Sequence, residues 1–175
     1  MIKSKYSLDT CVIRKILENP NYLSCMKVHV NFEDSRIFLS ETAIWEIEKQ
    51  LGKINPGLTT DAVVQKIGDG LNADITVLEN SKETKILADD LLLANQPDLH
   101  HPDNLHLAFS MTQETTLLSC DSKLIRCCKR EGHPCINPNK LGWQYARVRG
   151  SRFNKVVKEN SRLAPGQKIM WRSFA

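Results

Sequence analysis

Three aspartates stand at junctions where side chains could do chemistry. Asp9 directly follows the strand-like run Lys5–Leu8 (KYSL), Asp121 follows the short apolar run 116–119 (TLLS), and Asp103 opens the helical stretch DNLHLAFSM. If the strands run parallel, their carboxyl ends share one edge, the edge at which α/β sheets bind ligands. Three acids far apart in the chain can converge there, and an acid on a neighbouring helix could add a fourth. Like charges brought together raise one another's pKa. Mg²⁺ or Mn²⁺ removes that cost, because hard divalent ions prefer carboxylate oxygens and water. A metal held this way can activate water and stabilise charge on a phosphoryl group. The same three acids also have a simpler use. Each stands where a helix N-cap would stand, and Asp is a favoured cap.

The elements that must position these acids alternate along the chain. Strands are expected at Lys5–Leu8, 36–39 (RIFL), Asp74–Leu78 (DITVL), 116–119 and 134–137 (PCIN). Between them lie helical patterns. Thr10–Glu18 carries Val12, Ile13, Ile16 and Leu17 on one side and is broken at Asn19-Pro20; a second helix covers 21–30. Ser40 is placed to cap Glu41–Leu51, Thr59 or Thr60 to cap a helix that Gly68 and Gly70 close, and Ser81 to cap a helix to about Asn95. The loop 96–102 leads into the helix of Asp103, with Leu105, Leu107, Ala108 and Met111 as its apolar residues, and Gly132 ends a last helix after Asp121. This alternation predicts an α/β fold, a three-layer sandwich with a central, mostly parallel, five-stranded sheet flanked by helices.

Composition bounds the rest. The chain has 175 residues, 41% hydrophobic and 25% charged, which is ordinary for a globular protein and against general disorder. No apolar run approaches the roughly 18–20 residues of a membrane span. The N-terminus MIKSKYSLDTCVI lacks the apolar segment and cleavage site of a signal peptide, so a cytoplasmic protein is expected. The net charge of +4 is unevenly spread. Residues 1–139 carry 15 Lys/Arg against 19 Asp/Glu, and residues 140–175 carry nine against one. We therefore expect a body at 1–139 and a basic C-terminal extension at 140–175. Such asymmetry suits a polyanionic partner, often nucleic acid; its plainer alternative is a solvated extension without one. Arg147, Arg149, Arg152, Lys155 and Arg172 are the candidate nucleic-acid contacts. Trp143, Tyr145 and Trp171 could stack on bases or pin the extension to the body.

Six cysteines lie at 11, 25, 120, 127, 128 and 135 with no Cys-x-x-Cys pair, which fits reduced, mostly buried thiols. A zinc site from Cys120, Cys127, Cys128, His133 and Cys135 is the alternative, but the spacings match no standard zinc pattern.

Four pieces of the chain, in order over roughly residues 5–138, resemble the PIN-domain nuclease family. YSLDTCVI looks like the strand that delivers Asp-Thr before the first helix. LSETAIWEIEK resembles the second element, with Ser40 six residues ahead of Glu46. DNLHLAFS resembles the Asp-x-x-His-Leu-Ala stretch, with His106 in the matching place, and TTLLSCDSKL the final strand with its Ser119-x-Asp121 pattern. The resemblance implies a metal-dependent nuclease site of Asp9, Glu46, Asp103 and Asp121 with Mg²⁺ or Mn²⁺. Many relatives are VapC-type toxins that cleave RNA and often form dimers, and others process ribosomal RNA. RNA, an antitoxin protein and a second copy of the chain are thus the expected partners.

The chain departs from that pattern at Cys11, where the family often has Asn or Ser. On a helical wheel Glu46 falls nearly opposite the stripe of Ile44, Ile47 and Leu51, so it either faces the site across a second packed layer or is a surface charge, with Glu41 and Glu48 as substitutes. Thr10 and Ser119 are supporting candidates that could orient water or a carboxylate, or only bond to backbone. His106 lies on about the same helix face as Asp103 and reads as a packing histidine or as a ligand or acid. His100 and His101 are an exposed loop pair that could touch phosphate. The same acids could serve a DNA-directed nuclease, because water attack on phosphorus needs no 2′-hydroxyl, and a fold that keeps them could also be a non-catalytic RNA-binding scaffold.

Overall fold

Lys5–Leu8 (β1) is the central strand. In the computed structural model, which describes residues 4–33, 35–51, 57 and 59–139, it is followed by α1 (Thr10–Glu18), α2 (Pro20–His29), β2 (Arg36–Ser40), α3 (Glu41–Leu51), α4 (Thr60–Leu71), β3 (Asp74–Leu78), α5 (Lys82–Ala94), α6 (Asp103–Thr112), β4 (Thr116–Leu118), α7 (Ser122–Arg130) and β5 (Cys135–Ile136). The sheet order is β3-β2-β1-β4-β5. Every pairing is parallel, so the sheet is wholly rather than mostly parallel. The chain moves outward from β1 to β2 and β3, then returns to add β4 and β5 on the other side. The connections therefore reverse direction between β1 and β4, and a crevice opens outside the carboxyl ends of those two strands. Leu8 pairs with Leu118 there, which brings Asp9 and Ser119 side by side.

Local chemistry sets the element ends. Asn19 closes α1 with its N–H to the Lys15 carbonyl and opens α2 with its side chain on the Asn21 N–H, and Pro20 follows at a position that needs no N–H donor. Ser40 Oγ accepts from the Ala43 N–H, Thr59 from Ala62 and Ser81 from Thr84. Gly132, with φ +67°, ends α7 as the His133 N–H reaches back to the Cys128 carbonyl at 2.8 Å.

One expected helix end is corrected. Gly68 and Gly70 do not close α4, which continues to Leu71 and stops at Asn72 in the left-handed conformation. Ile67 and Leu71 are buried and keep the apolar face running through both glycines. A Cβ at Gly70 would collide with Leu23 of α2, so the missing side chain serves a close helix approach rather than a stop.

Two layers cover the sheet. Val12, Ile13 and Ile16 of α1, Ile47 of α3 and Val63 and Ile67 of α4 are buried, and α1 packs against α2, α3 and α4. Ala88, Leu91, Leu107, Ala108, Leu124, Cys127 and Cys128 of α5, α6 and α7 form a cluster with Leu99 and with Leu117 of β4. Among the described residues no helix is long and apolar enough to cross a membrane. The chain divides into two units, Met1–Pro138 and Asn139–Ala175. Of the second, only Asn139 is described, so Arg147, Arg149, Arg152, Lys155, Arg172 and the three aromatics of the extension lie outside the described residues.

Candidate active site

Asp9 lies at the crevice because the ladder carries it there: its N–H continues the β1–β4 pairing to the Leu118 carbonyl at 3.0 Å. Its side chain is buried. Oδ2 accepts from Ser119 Oγ at 2.6 Å and from Cys11 Sγ at 3.0 Å. Oδ1 takes a long capping bond from the Cys11 N–H at 3.5 Å and lies 3.8 Å from His106 Nε2. Asp9 thus caps α1 only weakly through the backbone, and its shorter bonds hold the carboxylate from both sides, Ser119 after β4 and the Cys11 thiol in the first turn of α1.

Glu46 reaches the same place from α3. Oε2 accepts from Thr10 Oγ1 at 2.5 Å and from His106 Nε2 at 2.8 Å, and Thr10 Oγ1 is 3.3 Å from that nitrogen. The wheel's apparent surface position faces the crevice because α3 packs against both α1 and α6. Neither substitute is there. Glu41 holds the Asn80 N–H at 3.1 Å and Glu48 accepts from Thr60. Burial works against charge on Glu46, but the bonds from His106 and Thr10 and the positive charge of His106 and His101 outweigh it and keep the carboxyl below its ordinary value.

His106 is the joint of this network. Burial opposes an imidazolium, yet the Glu46 hydrogen bond and the negative charge of Asp9, Glu46 and Asp103 prevail, and its pKa is raised. Sequence spacing separates the packing role from the polar one, whereas the structure gives His106 both: it is 3% exposed and bonded to Glu46. Of the loop pair, His100 and His101 are exposed, and His101 is near enough to act on Glu46.

Asp103 and Asp121 differ in what holds them. Asp121 caps α7, accepting from the Lys123 N–H at 2.6 Å and the Leu124 N–H at 3.0 Å. Asp103 does not cap α6. Pro102 occupies the cap position, with no side-chain capping bond. The Asp103 carboxyl is partly buried and has no hydrogen-bond donor among the described residues. Burial first, then the negative charge of Asp9, Asp121 and Glu46, push its pKa up to about 6, with His106 opposing. The field of the other three acids therefore converges on this one carboxyl.

The donor set suits a hard divalent cation in kind: four carboxylates, one without a donor and raised by its neighbours. Among the described residues, however, no three His, Cys, Asp or Glu side chains already stand at the spacing of a metal shell. Glu46 is turned to Thr10 and His106, Asp121 to the start of α7, and Asp9 to Ser119. The alternative zinc set also fails to converge among the described residues. Cys120 contacts Tyr22 Oη at 3.3 Å, His133 Nε2 contacts Ser110 Oγ at 2.7 Å, and Cys127 is buried in the apolar cluster.

Cys11, which the sequence marks only as a departure from the family pattern, lies within the site. Its sulfur touches Asp9, lies 3.9 Å from Ser119 Oγ and accepts the Cys120 N–H at 3.0 Å. Its place two residues after Asp9 is the signal in the sequence, and its contacts with Cys120 and Ser119, more than 100 residues away, are not legible there.

No protein-family model matches the chain, and no curated protein matches it. Solved structures do. A chain of VapBC2 from Rickettsia felis, solved bound to a DNA fragment from their promoter, is 14% identical with a TM-score of 0.56, over 76% of this chain and 98% of that one. A toxin–antitoxin complex from Klebsiella pneumoniae gives 14% identity and a TM-score of 0.53, over 76% and 97%. VapBC-1 from nontypeable Haemophilus influenzae gives 15% and 0.53, over 77% and 98%. At these identities the likeness is one of fold: the chain shares with these structures an α/β sandwich built on a parallel five-stranded sheet.

Proposed function

We propose that this chain is a Mg²⁺- or Mn²⁺-dependent endoribonuclease that hydrolyses RNA phosphodiester bonds. The observation that carries the reading is the Asp103 carboxyl, without a hydrogen-bond donor among the described residues and raised by the charge of Asp9, Asp121 and Glu46. Repulsion of this kind is what a divalent cation relieves. Asp9 and Asp103 would hold the metal, and Glu46 and Asp121 would complete or orient the shell. Such an ion, when bound, makes a nucleophile of water at neutral pH and stabilises charge on the phosphoryl oxygens. The chain's own contribution is position. Ser119 holds Asp9 from β4, while Thr10 and His106 hold Glu46 against α1 and α6. The expected products carry a 5′-phosphate and a 3′-hydroxyl.

The basic extension, from residue 140 onward, would bind the RNA backbone through Arg147, Arg149, Arg152, Lys155 and Arg172. The likeness to chains of VapBC and toxin–antitoxin complexes supports a toxin role, with an antitoxin protein and a second copy of the chain as partners.

The test is a matched pair of single-stranded RNA and DNA oligonucleotides of one sequence, incubated with Mg²⁺, Mn²⁺ or EDTA. Metal-dependent cleavage of RNA alone supports the reading. Cleavage of DNA alone replaces it with a DNA-directed nuclease. RNA bound but uncut under every metal replaces it with a scaffold.

A further inference from the structure

Beside the acid crevice lies a pair of thiols that the proposed reaction does not use. Cys11 sits in the first turn of α1, and Cys120 in the turn between β4 and α7. The parallel pair Leu8–Leu118 holds the two segments at the strand spacing of about 4.8 Å. The Cys120 N–H donates to Cys11 Sγ at 3.0 Å, and the two thiols are in direct contact. Both are free and partly exposed. Cys11 Sγ also donates to Asp9 Oδ2 at 3.0 Å, and Tyr22 Oη lies 3.3 Å from Cys120 Sγ. A second contacting pair among the described residues is set apart, because Cys128, which touches Cys135, is buried in the apolar cluster of α5, α6 and α7.

We propose that Cys11 and Cys120 are a peroxide-reactive thiol pair that closes into a disulfide at the edge of the acid crevice. Cys120, whose sulfur is not tied to a carboxylate, attacks hydrogen peroxide. A sulfur–oxygen bond forms, the oxygen–oxygen bond breaks, and one water leaves with the thiol proton. Cys11 then attacks the Cys120 sulfenic sulfur. The disulfide bond forms, the sulfur–oxygen bond breaks, and a second water leaves with the Cys11 proton. The two thiols are oxidised and the peroxide is reduced. Closure consumes the S–H that Cys11 donates to Asp9 and leaves Ser119 Oγ to hold Oδ2. The consequence for cleavage rests on the proposed nuclease reading, while the disulfide itself does not.

The experiment treats the full-length, reduced protein with hydrogen peroxide, blocks the remaining thiols with iodoacetamide and maps the unreduced digest by mass spectrometry. The expected product is one linked peptide pair, Cys11 to Cys120, lighter by two hydrogen atoms and abolished by dithiothreitol. Cys11→Ser should leave a sulfenic acid at Cys120 that dimedone traps, with the circular dichroism spectrum unchanged. If the reduced protein cuts RNA, oxidation should lower the rate several-fold and dithiothreitol should restore it. Recovery of both Cys11 and Cys120 as alkylated thiols after peroxide would overturn the proposal, as would a Cys128–Cys135 link that forms first. A mapped Cys11–Cys120 link with an unchanged cleavage rate would overturn its coupling to the crevice. A mapped link in a protein that never cleaves RNA would sustain the thiol pair and defeat only the nuclease reading.

Discussion

His106 Nε2 stands 2.8 Å from Glu46 Oε2, a hydrogen bond between α6 and α3 made by a histidine that is almost wholly buried. With Asp9 Oδ1 3.8 Å from the same nitrogen, one imidazole couples two of the four acids. A hydrogen bond to a charged partner contributes about 1.5–3 kcal/mol, and stranding one partner costs its desolvation as well. His106→Asn and Glu46→Gln should each destabilise the protein, and the double variant should lose less than the sum. Urea unfolding of the four proteins in a double-mutant cycle measures the coupling, expected at about 1–2 kcal/mol. Additive losses would show that this hydrogen bond contributes nothing.

The same pair sets a pH window. The raised pKa of His106 gives stability that is fully present below its unfolded value of 6.5 and lost as pH rises through the folded one. The lowered pKa of Glu46 gives stability present above its unfolded value of 4.5 and lost as pH falls through the folded one. The coupling should therefore be largest between these values. Repeating the cycle at acid, intermediate and alkaline pH checks this, and a coupling that grows above neutrality would contradict the assignment.

Asp103 works in the opposite sense. Its pKa is raised from 3.8 to about 6, so its ionisation opposes folding progressively across that interval and fully above it. Asp103→Asn should stabilise the metal-free protein at pH 7. After allowance for the carboxyl's partial exposure, the gain is about 1 kcal/mol. Thermal unfolding in EDTA should show the variant melting higher at pH 7 and no higher at pH 3.5. Mn²⁺ should then raise the melting temperature of the wild type more than that of the variant.

Glu46, rather than Glu41 or Glu48, belongs to the crevice. Glu46→Gln should reduce RNA cleavage by about 100-fold or more, the scale of losing a group that acts on the reacting centre. Glu48→Gln, at a carboxylate that accepts from the Thr60 hydroxyl away from the crevice, should leave cleavage unchanged. Equal losses in both variants would remove Glu46 from the site.

Much of this arrangement is legible in the residues. Asp9 and Asp121 follow short apolar runs, and Ser40, Ser81 and Gly132 announce helix ends by local hydrogen bonding, which acts within four residues. What fails to read is long-range. The partners of His106 lie 60 and 96 residues away on α3 and α1, so helical spacing cannot tell a packing histidine from a bridging one. The helical wheel leaves Glu46 ambiguous because it represents one packed face, whereas α3 touches two helices. Gly70 reads as a stop because its reason, the Leu23 side chain on another helix, is absent from its own neighbourhood. Asp103 has the composition of a cap, but Pro102 takes that position.

The extension should act through charge. Deleting residues 140–175 removes nine Lys/Arg and one Glu, and should weaken RNA binding and flatten its dependence on salt, since the slope shrinks by about one unit for every phosphate that is no longer neutralised. Fluorescence anisotropy across a salt series measures both. Unchanged affinity and slope would place RNA binding elsewhere.

The most direct measurement is cleavage of mixed single-stranded RNA and total RNA by the wild type and by Asp103→Asn, each in Mn²⁺, Mg²⁺ and EDTA. The substitution keeps the size of the side chain and removes its charge. The account predicts cleavage by the wild type with either metal, none in EDTA, and loss in the variant while RNA remains bound. Cleavage that persists in EDTA or in the variant, or RNA that the wild type binds and never cuts, would contradict it.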